Sequence, residues 1–239
     1  SVTFSDVNIV NPSNAVDENI GDANGFTLDI GARGSLNNWI SYDISFFNLF
    51  YKDRIGFLYT TIPPVNNLGQ LRTNVGDAKI LGFESVIDLN LKKILNMGER
   101  YSFNYFINTS VIDSKYTRAI INGIVGNKVE FVPDINLKTG IRFGFDNFTS
   151  SIQYTYISDQ FSDAENSFSG DVSGIVGVIP SYDILDISAS YKYKIMKLEA
   201  GVNNLLDNKF FTRRATGYPG PGIIPSIPRN WYLTLQFKF

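Results

Sequence analysis

The last nine residues of the chain alternate between apolar and polar side chains, and this pattern limits the possible fold more than any other feature of the sequence. The even positions carry Tyr, Thr, Gln and Lys, and the odd positions are Trp231, Leu233, Leu235, Phe237 and Phe239. Because successive side chains of a β-strand point to opposite faces, a period of two predicts a strand with one apolar and one polar face. The segment is also long enough for a tilted strand to cross the hydrocarbon core of a bilayer, which takes about 9–11 residues.

The same alternation recurs upstream. Phe26, Leu28 and Ile30, for example, are separated by polar residues. The eight upstream segments cover residues 26–33, 40–46, 83–91, 101–108, 135–143, 151–156, 185–191 and, less regularly, 197–211. No segment has the period of an amphipathic helix, although Lys92–Leu95 is compatible with a short helical turn. The sequence therefore predicts an all-β fold with nine antiparallel strands.

The connections between these segments alternate in length, which is a second and independent signal. Four are short, near residues 34–38, 92–100, 146–147 and 193–195, and four are long, near residues 62–73, 114–130, 162–180 and 212–228. Outer-membrane barrels have short periplasmic turns and long extracellular loops, whereas a soluble antiparallel β-domain has no reason to keep its long loops at one end. The pattern favours a transmembrane barrel over a soluble β-domain. If the last strand ends in the periplasm, all the long loops face the outside of the cell.

The composition removes most catalytic functions. The chain contains no Cys and no His, so it lacks a disulfide framework, a thiolate metal site and the commonest general base. It has no Gly-rich phosphate loop between a strand and a helix, and no basic run that would indicate nucleic acid as a partner. We therefore expect no enzyme, no cofactor and no metal site. No stretch approaches the ~20 apolar residues of a transmembrane helix.

The domain organisation follows from the polarity of the first residues. Residues 1–23 are predicted to be an extracellular loop, and residues 24–239 to be barrel wall. Nine strands is an odd number, whereas bacterial single-chain barrels have even numbers of strands. An open sheet edge in lipid would also leave backbone donors and acceptors unpaired. We therefore expect further upstream strands in a longer chain.

Three stretches resemble the C-terminal half of TonB-dependent outer-membrane receptors. They are NWYLTLQFKF at 230–239, GVNNLLDNKFF at 201–211 and NVGDAKILGFE at 74–84. By this resemblance the intact protein is a 22-stranded barrel in the bacterial outer membrane, with an N-terminal plug domain in its lumen. The plug, the upstream strands and the family's TonB box are absent from this chain.

The resemblance also implies partners. The receptor would import a small-molecule iron chelate, powered by the TonB complex through the missing plug. Its wall would contact outer-membrane lipid and lipopolysaccharide. The barrel-assembly machinery would read a terminal signal formed by Trp231, Leu233, Leu235, Phe237 and Phe239.

The segment TRRATGYPGPGIIP at 212–225 resembles the last external loop of receptors for ferric citrate in the Bacteroidetes branch. The candidate ligand-binding residues are Arg213, Arg214, Tyr218 and Arg229. The three arginines are candidates because guanidinium groups form bidentate hydrogen bonds with carboxylates. Tyr218 begins a loop tip rich in Pro and Gly, which could be a specificity loop or simply a well-ordered loop at the rim. Alternatively, these arginines meet lipopolysaccharide or pair with acids of other loops. A receptor of the same fold could also import another siderophore, haem, cobalamin or an oligosaccharide, or the barrel could be a passive porin.

Five charged residues on the polar faces of the predicted strands are expected to point into the lumen. They are Arg33, Glu84, Asp88, Lys138 and Arg142. A wet barrel interior in which charges pair and hydrate accounts for them without a role in ligand binding.

Overall fold

The structure is a computed structural model that describes residues 14–62, 67–170, 172–215 and 222–238. Its elements are β1 Asn14–Val16, β2 Asn24–Leu36, β3 Ile40–Ile62, β4 Asn67–Asn90, α1 Leu91–Ile94, β5 Tyr101–Ala119, β6 Ile135–Phe145, β7 Phe148–Ile157, β8 Gln160–Phe161, β9 Val178–Ile179, β10 Tyr182–Tyr193, β11 Met196–Asn203, β12 Phe211–Ala215, β13 Gly222–Pro225 and β14 Asn230–Phe237. Across these ranges, no helix is long and apolar enough to cross a membrane.

Ten strands form one sheet, in which nine are antiparallel in the order β2-β3-β4-β5-β6-β7-β10-β11-β14 and β1 pairs with β4. The nine predicted strands and the all-β fold class are therefore confirmed. Each strand pairs with its neighbours in chain order, so β2 and β14 are the two edges. The short connections lie at one end of the sheet, which we call the turn end. The opposite end, where β3, β4 and β5 extend furthest, is the loop end.

One face of the sheet is apolar and open. Residues paired across antiparallel strands share a face, and Ile30, Phe46 and Phe83 lie side by side in this way. Ile30 is 74% exposed, and on β14 Trp231 and Leu233 are 79% and 64% exposed. A water-soluble protein rarely leaves so many large apolar side chains together on its surface. Four of the five predicted assembly-signal residues lie on this face of β14, and Phe239 is outside the described residues.

The other face is polar, and the ladder registers place all five predicted lumen residues on it. Arg142 lies 3.7 Å from Asp88, and the Asn104 amide donates a 2.9 Å hydrogen bond to the same carboxylate. Aromatic rings on this face cover glycines of the neighbouring strand. A Cβ on Gly82 would come within 2.2 Å of the Phe47 ring, so only glycine fits there.

Three predicted loops are shorter than the sequence indicated. β3 runs to Ile62 and β4 begins at Asn67, so most of the predicted 62–73 loop is strand. β5 continues to Ala119, into the predicted 114–130 loop. The predicted 212–228 loop contains the β12–β13 hairpin. In β5, for example, the adjacent residues Val111 and Ile112 place apolar side chains on both faces, so the period of two that identifies a half-exposed strand is lost.

Two other boundaries also differ from the prediction. The predicted strand 197–211 ends at Asn203, because Asn204 and Asn208 form a turn with hydrogen bonds of 2.9 and 3.0 Å between side chain and backbone. Within the predicted loop 1–23, β1 pairs in parallel with β4, while residues 1–13 lie outside the described part of the chain. The predicted turn at 92–95 is α1, whose first turn is capped by the Asn90 side chain.

Candidate functional site

The loop end of the sheet has a small hydrophobic core of its own. The extended arms of β3, β4 and β5 form one side of it, and residues 120–134 and 158–167 cover the other side. Its buried members are Leu58, Val75, Ala78, Ile80, Tyr116, Ile124, Val129 and Ala164. Burial of these side chains gives the long connections a fixed structure, since apolar burial is the main favourable term in folding.

Two connections are also joined through backbone and amide groups. The Ala164 N–H donates to the Phe57 carbonyl oxygen at 3.2 Å. The Asn166 side chain accepts from the Lys128 N–H at 2.7 Å and donates back to the Lys128 carbonyl oxygen at 2.9 Å. The loop end is therefore a folded unit.

A charged cluster lies inside this unit. Arg54 Nη1 is 2.6 Å from Glu130 Oε1 and donates to the Tyr116 hydroxyl at 2.7 Å, and that hydroxyl donates to Glu130 Oε2 at 2.7 Å. Glu130 is 2% exposed, so its charge requires these partners. Burial lowers the pKa of the Arg54 guanidinium, but Glu130 and Tyr116 offset this and hold the pKa above its usual value. Burial, and then the Glu130 charge, raises the pKa of the Tyr116 hydroxyl, so it stays a donor.

A second, more exposed cluster fixes the bulge in β3. Asp53 has φ of +53°, and its N–H donates to Asp77 Oδ1 at 3.0 Å. Arg118 bridges both acids, with Nη2 2.5 Å from Asp53 and Nε 2.7 Å from Asp77. The hydrogen bond from Arg118 lowers the pKa of Asp77, which favours its charged form.

Beside the loop-end core lies a cavity of about 490 Å³, which we call the arginine pocket. Four strands (β3, β4, β8 and β12) and the connection before β6 supply its lining, which consists of Phe57, Arg72, Phe131, Gln160, Thr212, Arg213 and Arg214. The Arg72 guanidinium lies 4.9 Å from the centre of the Phe57 ring, in a cation–π contact. None of these lining residues is acidic, so the described wall of the pocket combines three positive charges with two aromatic rings. Such a wall suits an anion.

The pocket brings together two of the four predicted ligand residues. Arg213 lines it and forms no ion pair within the described ranges. Arg214 also lines it, but its guanidinium donates to the Gly174 and Val178 carbonyl oxygens, both at 2.8 Å. Arg214 thereby links the β12–β13 hairpin to β9 and to the connection before it. Arg229 lies outside the pocket, where its guanidinium donates to the Leu205 carbonyl oxygen at 3.3 Å.

Tyr218 lies outside the described residues, so its predicted role stays a prediction. Sequence reasoning missed Phe57, Arg72, Phe131 and Gln160. They come from segments far apart in the chain, and no local spacing marks them. Arg72 was inside a predicted loop, where a single basic residue forms no motif that would mark it as a binding residue. The described residues contain no cluster of acidic side chains that could hold a metal ion.

Residues 8–205 match the family model described as TonB dependent receptor-like, beta-barrel. The chain belongs to this family. The family predicted from the three sequence stretches is thus confirmed. Among curated relatives, the vitamin B12 transporter BtuB of Vibrio vulnificus (strain YJ016) is 35% identical over 91 residues, which are 36% of this chain and 14% of that protein.

Solved structures of similar fold include a transporter and an uptake receptor. The unliganded ferric citrate transporter FecA superposes with a TM-score of 0.73 at 19% identity, covering 89% of this chain and 31% of that one. The ferric yersiniabactin uptake receptor FyuA of Yersinia pestis has a TM-score of 0.66 at 16% identity, covering 91% and 30%. The present chain therefore spans about a third of the length of these solved structures. At 19% and 16% identity, the similarity shows the fold alone.

Proposed function

We propose that the chain is the C-terminal wall of an outer-membrane receptor that imports an anionic ferric chelate, with the arginine pocket as part of its external binding site. The observation that supports this most is the pocket itself, where Arg72 of β4 meets Arg213 and Arg214 of β12 and the described lining contains no acidic residue. Guanidinium groups bind carboxylates through paired, charge-assisted hydrogen bonds, and this chemistry suits a citrate-type chelate.

The two faces of the sheet support the membrane placement. In this proposal the apolar face contacts outer-membrane lipid, and the polar face lines a water-filled lumen that holds the plug. The loop end then faces outwards, towards lipopolysaccharide and incoming ligand. These nine strands cover about a third of the solved receptor chains, which supports their being part of a 22-stranded barrel.

In the proposed mechanism, ligand binds at the loop end and the plug is then displaced by energy delivered through TonB. The residues of this chain bind and orient the ligand, and no covalent chemistry occurs. Because the connections around residues 120–134 and 158–167 are packed on a core, their part of the binding site is formed before ligand arrives. A preformed site avoids the entropy cost of ordering loops on binding.

The test of this proposal is the affinity of the full-length protein for ferric citrate. Arg213→Ala and Arg72→Ala should each weaken binding by about tenfold or more, since a charge-assisted hydrogen bond contributes about 1.5–3 kcal/mol. The matched control is Arg100→Ala, an arginine at the turn end that is paired with Asp146. Unchanged affinity in both pocket variants would contradict the role assigned to the pocket.

A second candidate ligand is cobalamin, because the curated relative BtuB is a vitamin B12 transporter. A cobalamin receptor would bind cyanocobalamin, and the loss of one arginine would weaken that binding less than it weakens the binding of a polycarboxylate.

Energy coupling is tested separately by uptake in cells that lack TonB. Loss of uptake there supports active import, whereas retained uptake would indicate a passive porin.

A further inference from the structure

Phe131 has an unusual backbone conformation for a bulky residue. Its φ is +60°, in the left-handed region that normally favours glycine or asparagine. A strained conformation of this kind persists only where the surrounding structure imposes it, and such residues gather at functional sites. The neighbouring residues must therefore hold Phe131 in this conformation.

The charged cluster described above holds the residues before it. Val129 is buried in the loop-end core, and Glu130 is fixed by Arg54 and Tyr116. With both preceding side chains anchored inside, the chain has to turn at Phe131, and the Phe131 N–H donates to the Phe161 carbonyl oxygen at 2.8 Å. This turn leaves the Phe131 ring out of the core.

The ring that is excluded from the core lines the arginine pocket. Phe131 is 41% exposed, and it lines the pocket together with Phe57. The Phe57 ring makes a cation–π contact with the Arg72 guanidinium. A carboxylate needs only the arginines. Two rings in the lining add an apolar surface, on which a flat ring of a ligand could pack edge-to-face or offset-stacked.

We infer that Phe131 is a specificity-determining residue of the pocket, and that the Arg54–Glu130–Tyr116 cluster is the device that positions it. The ligand class that fits is an anionic chelate with an aromatic ring beside its negative charges. This inference rests on the proposed function, since it takes the arginine pocket to be a chelate-binding site.

The test compares two probes on the full-length protein, ferric citrate and the ferric complex of 2,3-dihydroxybenzoate, of which only the second has aromatic rings. The main variant is Phe131→Gly, because glycine adopts the +60° φ without strain and the variant should fold. We expect its affinity for the dihydroxybenzoate complex to fall about tenfold, with ferric citrate changed by less than about twofold. Phe131→Trp, which keeps an aromatic ring at this position, should keep the preference for the aromatic chelate.

The positioning role is tested by Tyr116→Phe, which removes the hydroxyl that links Arg54 to Glu130 and keeps the ion pair between them. The expected result is a reduced preference for the aromatic chelate, in the same direction as Phe131→Gly, in protein that still binds ferric citrate. A merely structural role would weaken both probes equally.

The outcomes separate this inference from the proposed function. If the wild-type protein does not bind the dihydroxybenzoate complex, or if Phe131→Gly changes both affinities alike or neither, the inference is overturned. If Arg213→Ala and Arg72→Ala both leave the two affinities unchanged, the proposed function fails as well. Loss of binding in Arg213→Ala with no effect of Phe131→Gly would overturn the inference and leave the proposed function standing.

Discussion

At the scale of single residues, the loop end depends on a buried ion pair. Arg54, Glu130 and Tyr116 satisfy one another at 2.6–2.7 Å. A buried pair adds little net stability when both partners are present, because desolvation opposes the attraction between the charges. Removal of one partner is costly, since it leaves a buried charge alone. The cluster therefore specifies one arrangement of the loop end more than it stabilises the whole chain.

Glu130→Ala tests how far the loop end depends on this ion pair. The loss of the carboxylate leaves the Arg54 guanidinium without its counter-charge and should destabilise the loop-end unit by about 3–5 kcal/mol. The measurement is the hydrogen-exchange protection of residues 120–134. Arg118→Ala, which breaks an exposed pair, is the control and should reduce this protection much less. Equal losses in the two variants would argue against a buried charged cluster.

At the scale of strands, the sheet depends on close contact between aromatic rings and glycines. Phe47 and Gly82 are paired across β3 and β4, and the Phe47 ring lies where a side chain at 82 would be. Gly82→Val should therefore cost about 1–3 kcal/mol through overpacking. Thermal unfolding of the full-length protein measures this loss.

Two controls make the Gly82 prediction specific. Gly98→Ala should be neutral, because a Cβ there would meet no atom nearer than 4.0 Å. Phe47→Ala combined with Gly82→Val should recover part of the lost stability, since the smaller side chain makes room for the valine. No recovery in the double variant would mean that the cost has another origin, such as backbone strain in β4.

The strands also show which parts of the fold can be predicted from sequence. Strand β14 was predictable because one face of it is apolar and the other polar, so its side chains alternate with a period of two. The extended arms of β3 and β4 were not predictable. Their residues Leu58 and Val75 pack in a local core that forms only when segments distant in the sequence come together. The same reason hides the arginine pocket, where Arg72 and Arg213 meet through tertiary folding. Arg213 was predictable only through its place in a recognisable last loop.

At the scale of the whole molecule, the two faces of the sheet should respond differently to charge. Leu233→Arg places a charge on the apolar face and should destabilise the protein in lipid by about 2–4 kcal/mol if the residue lies near the bilayer midplane. Thr234→Arg, on the polar face of the same strand, should have a much smaller effect. Unfolding in lipid vesicles of the full-length protein measures both, and equal costs would contradict a lipid-facing apolar surface.

The central claim is that a ferric chelate binds at the loop end, against the arginine pocket. The most direct measurement is the position of iron, found by anomalous scattering from crystals of the full-length protein soaked with ferric citrate. We predict an iron peak in the cavity bordered by Arg72 and Arg213, and its loss in Arg213→Ala crystals. An iron peak elsewhere on the protein, or none in soaked wild-type crystals, would contradict the claim.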